Sequence, residues 1–235
     1  MSALRRASHP RSGMMTQMYA GASIAFGAAV IRTAADTVKG VAAANSVSTI
    51  GFAVEPANGV VGDQDGFALL TNARGVADFV RVVHNGYVNA LVCPDGNYSI
   101  LKGDFLEIYG MGDASGNYLG ILNEAGSNAG ETRTATCVAQ AMEEVTQGSA
   151  AYCIPETDVA IGAATVTLTA AKIATLKLTV GSYVVLEDIN GGAQLNRVLS
   201  MTATVVTLQF PSTVALTASD SDLIYRVDQI LVRIL

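Results

Sequence analysis

The sequence predicts a mainly β protein, on three observations. From Ser46 onward, short apolar runs rich in β-branched residues alternate with Gly, Asn, Asp and Pro turn signals. Two of those signals, Asn85-Gly86 and Asn190-Gly191-Gly192, stand between apolar runs of strand length. Residues 164–189 and 203–227 also echo one another: each opens Ala-Thr-Val, passes a Thr-Leu and returns to an apolar run, a pattern suited to a small barrel or sandwich.

Residues 1–18 are expected to form an extended arm, with Arg5, Arg6, Arg11 and His9 and no acid among the first eleven residues. Residues 1–31 superficially resemble a signal peptide. Their apolar part is rich in Ala and Gly and contains no Leu, so a signal reading is rejected. Between Ala20 and Ala44 the residues are small and apolar. A short helix is expected around Arg32–Lys39, and Gly21, Gly27 and Gly40 oppose a longer one. Small residues also suit a backbone lying close against another surface.

The run Asp78–His84, the pair Asn85-Gly86 and the run Tyr87–Val92 together predict a hairpin with a type I′ turn. Thr134–Val145 suits either an amphipathic helix or a strand that turns at Gln147-Gly148, and the strand is preferred. A second hairpin is expected from Tyr183–Ile189 and Ala193–Leu199. Thr165–Thr169 and Thr204–Phe210 are its expected neighbours, and Ile230–Leu235 is expected to be the last strand.

Half of the 235 residues are hydrophobic and 14% are charged, where a soluble domain typically carries about 25%. Mean hydropathy is +0.38. No window offers the roughly 20 uninterrupted apolar residues of a spanning helix, so no membrane partner is expected. Burial against other subunits is the remaining outlet. The net charge of −6 and the lack of a basic run after residue 11 argue against nucleic acid as a partner. Cys93, Cys137 and Cys153 are odd in number and lack C-x-x-C spacing, so free buried thiols in a reducing cytoplasm are expected.

Residues 75–145 resemble the core of the capsid decoration, or cement, proteins of tailed-phage heads. The resemblance rests on Gly75–Val83, on the stretch Asn97–Leu106 with its Gly103-Asp104 turn, on the Gly110–Gly120 loop, and on Cys137–Gly148, where Met142 stands in an Ala-Leu-Glu-like strand end. It covers about a third of the chain, and its motifs are short. The family's closing strand does not follow directly; Ile230–Leu235 is the best candidate. The division implied is an arm over 1–18 and a decoration-type β-domain over 19–155, with 227–235 as its candidate completion. A second β-domain, inserted or appended, spans 156–226. The resemblance implies a β-barrel or β-tulip-like core, often a homotrimer, bound to the major capsid protein at the virion surface after synthesis in the host cytoplasm. The arm and the Ala/Gly-rich region are expected to supply part of the contact, with Arg5, Arg6, Arg11, Tyr19 and Phe26 as candidate interface residues. Rival readings are another virion component, such as a tail or baseplate protein, or a host-glycan-binding module on 157–226.

Candidate chemistry is sparse. His84 has no G-x-S-x-G nucleophile to serve and reads as a turn-edge residue. Asp63, Asp65, Asp113 and Asn117 offer oxygen ligands of the kind Ca²⁺ takes, yet ordinary turn chemistry explains them. Glu143 and Glu144 would face opposite sides of a strand. No catalytic, cofactor or metal residue is therefore expected, and the chain is read as non-enzymatic.

Overall fold

A computed structural model describes residues 14–41, 49–54, 67–68, 77–93, 99–109, 119–125, 135–146 and 152–235. The fold is mainly β, as the turn spacing predicts, and it is organised as three β-modules.

The first module is a closed five-stranded barrel. Its strands are β1 (Met15–Ala20), β3 (Ala29–Ala34), β4 (Thr37–Gly40), β5 (Gly51–Val54) and β7 (Phe79–Val83), and a short pair, β2 (Ile24–Ala25) with β6 (Phe67–Ala68), accompanies them. The chain runs round in the order β1-β4-β3-β5-β7, and β7 returns antiparallel to β1 with Tyr19 opposite Phe79 and Gln17 opposite Arg81. Met18, Ala20, Val30, Val38, Ala53, Val80 and Val82 fill its interior. The helix expected at Arg32–Lys39 is instead the β3–β4 hairpin, turning at Ala35-Asp36. Buried Val30 and Val38 reward the strand period there, and β-branched Thr33 and Thr37 favour it. The first strand also begins at Met15, within the range expected for the arm.

The second module closes a ring of β8 (Tyr87–Val92), β10 (Phe105–Ile108), β11 (Leu122–Glu124), β12 (Ala139–Ala141) and part of the last strand, β19 (Leu223–Ile234). A small pair, β9 (Ser99–Ile100) with β13 (Val145–Thr146), lies beside it in the chain. Within the ambiguous 134–145 segment Ala139–Ala141 and Val145 are strand, with a bend at Met142-Glu143, and no helix forms among its described residues; the turn expected at Gln147-Gly148 lies outside the described residues. The Gly103-Asp104 turn behaves as its chemistry suggests: Gly103 takes φ 105°, and Asp104 Oδ2 accepts from the Leu101 amide at 2.6 Å.

One expectation fails between these barrels. The β7 and β8 runs do not form a hairpin: β7 pairs with β1 and β5, and β8 pairs with β19 and β11. A type I′ turn needs positive φ at both central residues. Gly86 has φ 89°, but Asn85 does not enter that region. The Asn-Gly pair is instead the corner at which the chain leaves one barrel for the next. Its free groups are taken up across the junction, since Asn85 Oδ1 accepts from the Met14 amide (2.8 Å) and the Gly86 carbonyl from the Ile234 amide (2.9 Å).

The third module comprises β14 (Tyr152–Cys153), β15 (Thr165–Thr167), helix α1 (Ala170–Thr175), β16 (Tyr183–Asp188), β17 (Gly192–Met201), β18 (Val205–Leu208) and the first half of β19. The β16–β17 hairpin is the one predicted. Its sheet runs β19-β16-β17-β18-β15, with β14 on the other side of β19. One backbone bond, from the Glu156 amide to the Thr167 carbonyl (3.0 Å), links the two ends of this arc. Thr169 caps α1 by accepting from the Lys172 amide. Lys172 then reaches back over the same gap to the Ile154 carbonyl (2.8 Å) and to Glu156 (2.5 Å).

β19 joins everything. Its residues 223–227 pair with β16, 228–233 with β8, and 232–234 with β12. Ile224 enters the third module's core, Tyr225 and Val227 the core shared with the first barrel, and Ile230 and Val232 the second barrel's core. Arg226 sits where the modules meet. It pairs with Asp228 and donates to the carbonyls of Leu176 (3.4 Å) and Lys177 (3.2 Å) at the end of α1.

The Ala/Gly-rich stretch supplies the close approach between the first two barrels. The Gly27 carbonyl accepts from the Leu91 amide (2.9 Å), the Gly120 carbonyl from the Ala29 amide (2.8 Å), and the Phe26 carbonyl from Gln229 Nε2 (2.7 Å). A Cβ at Gly120 would lie 2.2 Å from the Ala29 carbonyl oxygen, whereas one at Gly162 meets open space. Both glycines have positive φ. Gly162→Ala should therefore cost about 1 kcal/mol, the backbone term alone. Gly120→Ala should cost about 3 kcal/mol or more, because the seam must open. Urea unfolding of the two variants separates these terms; equal midpoints would mean that the seam tolerates a methyl group.

Candidate interaction surface

Barrel strands alternate inward and outward side chains. On β1 the inward residues are Met18 and Ala20, and Met15, Gln17 and Tyr19 lie exposed. On β7 the inward residues are Val80 and Val82, and Phe79 and Arg81 face out beside them. Cross-strand register makes this one face. Tyr19 stands opposite Phe79, with ring centroids 4.4 Å apart at 32°, and Gln17 stands opposite Arg81.

The exposure is high for such side chains: Met14 64%, Met15 44%, Tyr19 43% and Phe79 41%. Among the described residues eleven large hydrophobic side chains are exposed, and four of them gather on this strand pair and its entry. Single exposed apolar residues need no explanation; here Met15 lies at one end of the strand pair and the Tyr19–Phe79 pair at the other, with Gln17 and Arg81 between them. Arg81 lies within this row on β7, opposite Gln17, and Lys39 on β4 follows Thr37, the neighbour of Tyr19. Two acids are close in register: exposed Asp36, in the β3–β4 turn beside Tyr19, and buried Asp78, next to Phe79.

The backbone under this face is held firmly. His84 Nδ1 lies 2.7 Å from the Ile50 carbonyl, which can only accept, so that nitrogen carries the hydrogen. In the neutral ring Nε2 then accepts from the Thr16 hydroxyl at 2.8 Å. The histidine thus ties β1 to the segment entering β5. The adjacent amide bonds, His84 to the Met14 carbonyl and Met14 to Asn85, hold the same corner. This is the turn-edge role expected of His84.

Of the residues predicted for contact, Tyr19 lies on the exposed face. Phe26 does not: it is 3% exposed and packs in the core, because the Ala/Gly-rich stretch that carries it is consumed as the seam against the second barrel. Arg5, Arg6 and Arg11 lie outside the described residues, as do Asp63, Asp65, Asp113 and Asn117. Phe79, Arg81 and Met15 were not singled out from the sequence. Phe79 and Arg81 lie in a run whose apolar residues occupy both faces, so alternation alone did not mark the outer one.

The polar groups elsewhere serve the fold. Glu143 Oε2 accepts from the Leu231 amide (3.1 Å), and Glu144 is exposed. Asp222 is buried and accepts from the amides of Ile189 and Thr217. No group of three or more His, Cys, Asp or Glu able to hold a metal ion occurs among the described residues. No helix among them is long and apolar enough to cross a membrane.

All three cysteines are free thiols, with Cys93 and Cys153 buried and Cys137 partly so. Burial pushes the Cys153 thiol up to about 12; Lys172 opposes the shift and Glu156 adds to it. Burial also raises Tyr225, aided by Tyr109, Glu187 and Cys93.

No protein-family model matches the chain, and no curated protein matches it.

Two predictions follow from the polar groups. His84→Ala should remove the Thr16 and Ile50 bonds and destabilise the protein by about 1–2 kcal/mol in urea, leaving the third module's α1 helix in place by NMR. For Cys153 the folded thiol binds its proton more tightly than the unfolded one, so its contribution to stability is complete below pH 9 and falls as pH rises toward 12. By pH 11 the loss should be on the order of 2–3 kcal/mol. Cys153→Ala should flatten that part of the alkaline decline, the Tyr225 part remaining; an unchanged profile would remove Cys153 from it.

Proposed function

We propose that this chain is a non-enzymatic structural protein of a phage-like virion, a decoration protein that binds the assembled shell of major capsid protein and works as a homotrimer on the capsid surface. The observation that carries the reading is a stripe of exposed Met and aromatic side chains on a braced, closed barrel. The chain bearing it is half hydrophobic and only 14% charged. A pre-organised apolar surface loses little entropy on binding. The resemblance of residues 75–145 to cement proteins gives that contact its partner.

The physics requires no chemistry at any site. A ligand that binds the assembled lattice better than free subunits stabilises the lattice by linkage. Repetition over a symmetric shell multiplies weak contacts by avidity.

The test is co-sedimentation of the full chain with assembled heads that lack it, followed by heating of the heads. Bound protein and a raised disruption temperature are expected. Removing residues 1–13, which stops short of β1, should weaken binding tenfold or more if the basic arm takes part. Unchanged binding would take the arm out of the mechanism. No binding by the intact chain would overturn the coat reading, and location at a single vertex or on the tail by electron microscopy would favour another virion component.

A further inference from the structure

The occupant of the apolar face can be sought by its chemistry: apolar in the middle, with negative charge to meet Arg81 and Lys39. The third module displays such a surface. Between Lys177 and Arg197, and again between Arg197 and Arg226, the sequence contains no Lys or Arg. The β16–β17 turn and the 217–222 segment therefore carry their acids with no Lys or Arg in the same stretch of chain.

That end is also well defined. The β16–β17 turn presents Ile189, an exposed large hydrophobic residue. Its amide is held by Asp222 Oδ1 (3.1 Å), and Asp222 Oδ2 holds the Thr217 amide (2.6 Å). Asp158 Oδ1 accepts from the Ala218 amide (2.9 Å), and Asp188 Oδ1 from the Asn190 amide (2.8 Å). These bonds draw the 157–159, 188–191 and 217–222 segments into one tip. Asp158 and Asp220 are exposed on it, and Asp188 is half-buried. An apolar knob is thus set among carboxylates on a rigid base.

We infer that copies of this chain associate head to tail, the Ile189 tip of one copy seating on the Tyr19–Phe79 face of the next. This deepens the structural-protein reading and rests on it. The two surfaces differ, so the contact is heterologous. Such a contact closes into a ring if the rotation between copies allows, a dimer at 180° and the proposed trimer at 120°. The aromatic pair and Ile189 supply the desolvated centre. Arg81 and Lys39 against Asp158, Asp188 and Asp220 set orientation and make association sensitive to salt. Asp36 is an exposed like charge beside Tyr19, and it favours a docking pose displaced toward Arg81.

The full chain tests this by sedimentation velocity over a range of concentration and salt. Wild type should associate, roughly tenfold more weakly at 500 mM than at 50 mM salt. A face variant, Tyr19→Ser with Phe79→Ser, and a tip variant, Ile189→Ser with Asp220→Lys, should each lose self-association by roughly 30-fold or more. Arg81→Glu, which keeps the aromatic pair, should weaken it without altering the melting temperature. Mixing the face and tip variants is decisive, because each retains the surface the other lacks: a one-to-one heterodimer is expected. A monomeric wild type, an inert mixture, or loss of association in the face variant alone would overturn the head-to-tail contact. Co-sedimentation with heads keeps the two claims apart. Wild type that is monomeric yet bound to heads sinks only this contact, and wild type that associates but ignores heads sinks only the coat function.

Discussion

The last strand is the constraint on which the rest of the structure depends. β19 is twelve residues long and lends a side to three cores at once. A strand displays two faces, and its even residues divide between the third module's core and that of the second barrel. Between those two stretches come Arg226 and Asp228, whose ion pair also reaches the carbonyls that end α1. A charged pair of this kind contributes little net stability, but breaking it strands a partly buried charge. It therefore holds the third module in one register against the barrels. The first barrel closes within residues 15–83, but the second ring does not close until β19 is in place, so part of the ordering entropy is met only when distant segments of the chain come together.

Closeness of approach is the second theme. The barrels share walls, and shared walls require backbones nearer than side chains usually permit. Gly27, Ala29 and Gly120 meet that need, and they convert amides and carbonyls of the junction into inter-barrel hydrogen bonds. Burying these groups unpaired would cost more than the apolar contacts around them return. The same junction explains why Asn85-Gly86 bends without making a hairpin. Both of its flanking strands find better partners in different barrels.

Rigidity beneath the exposed face gives that face meaning. Tyr19, Phe79 and Met15 stand on strands closed into a ring, and His84 fastens the ring at its edge. Side chains on such a base lose little freedom when they are covered, so even a modest apolar stripe makes an effective contact. Arg81 and Lys39 stand on this side of the barrel, and Asp158, Asp188 and Asp220 on the tip of the third module.

Much of this was legible in the sequence. The β class, the β16–β17 hairpin, the strand at the C-terminus and the local role of Gly103-Asp104 follow from period-two apolarity and turn chemistry, which act over a few residues. Tyr19, expected at a contact, is exposed, as such a role requires. What local pattern could not decide was which strand pairs with which. Arg32–Lys39 became a hairpin because Val30 and Val38 found a barrel interior, and Phe26 left the surface because a second barrel lay against it. Phe79 and Arg81 became part of a face only when β1 returned alongside β7 from some sixty residues away. Side-chain alternation is written into the chain, but which side is inside is settled by long-range closure, and that is a property of the assembled cores.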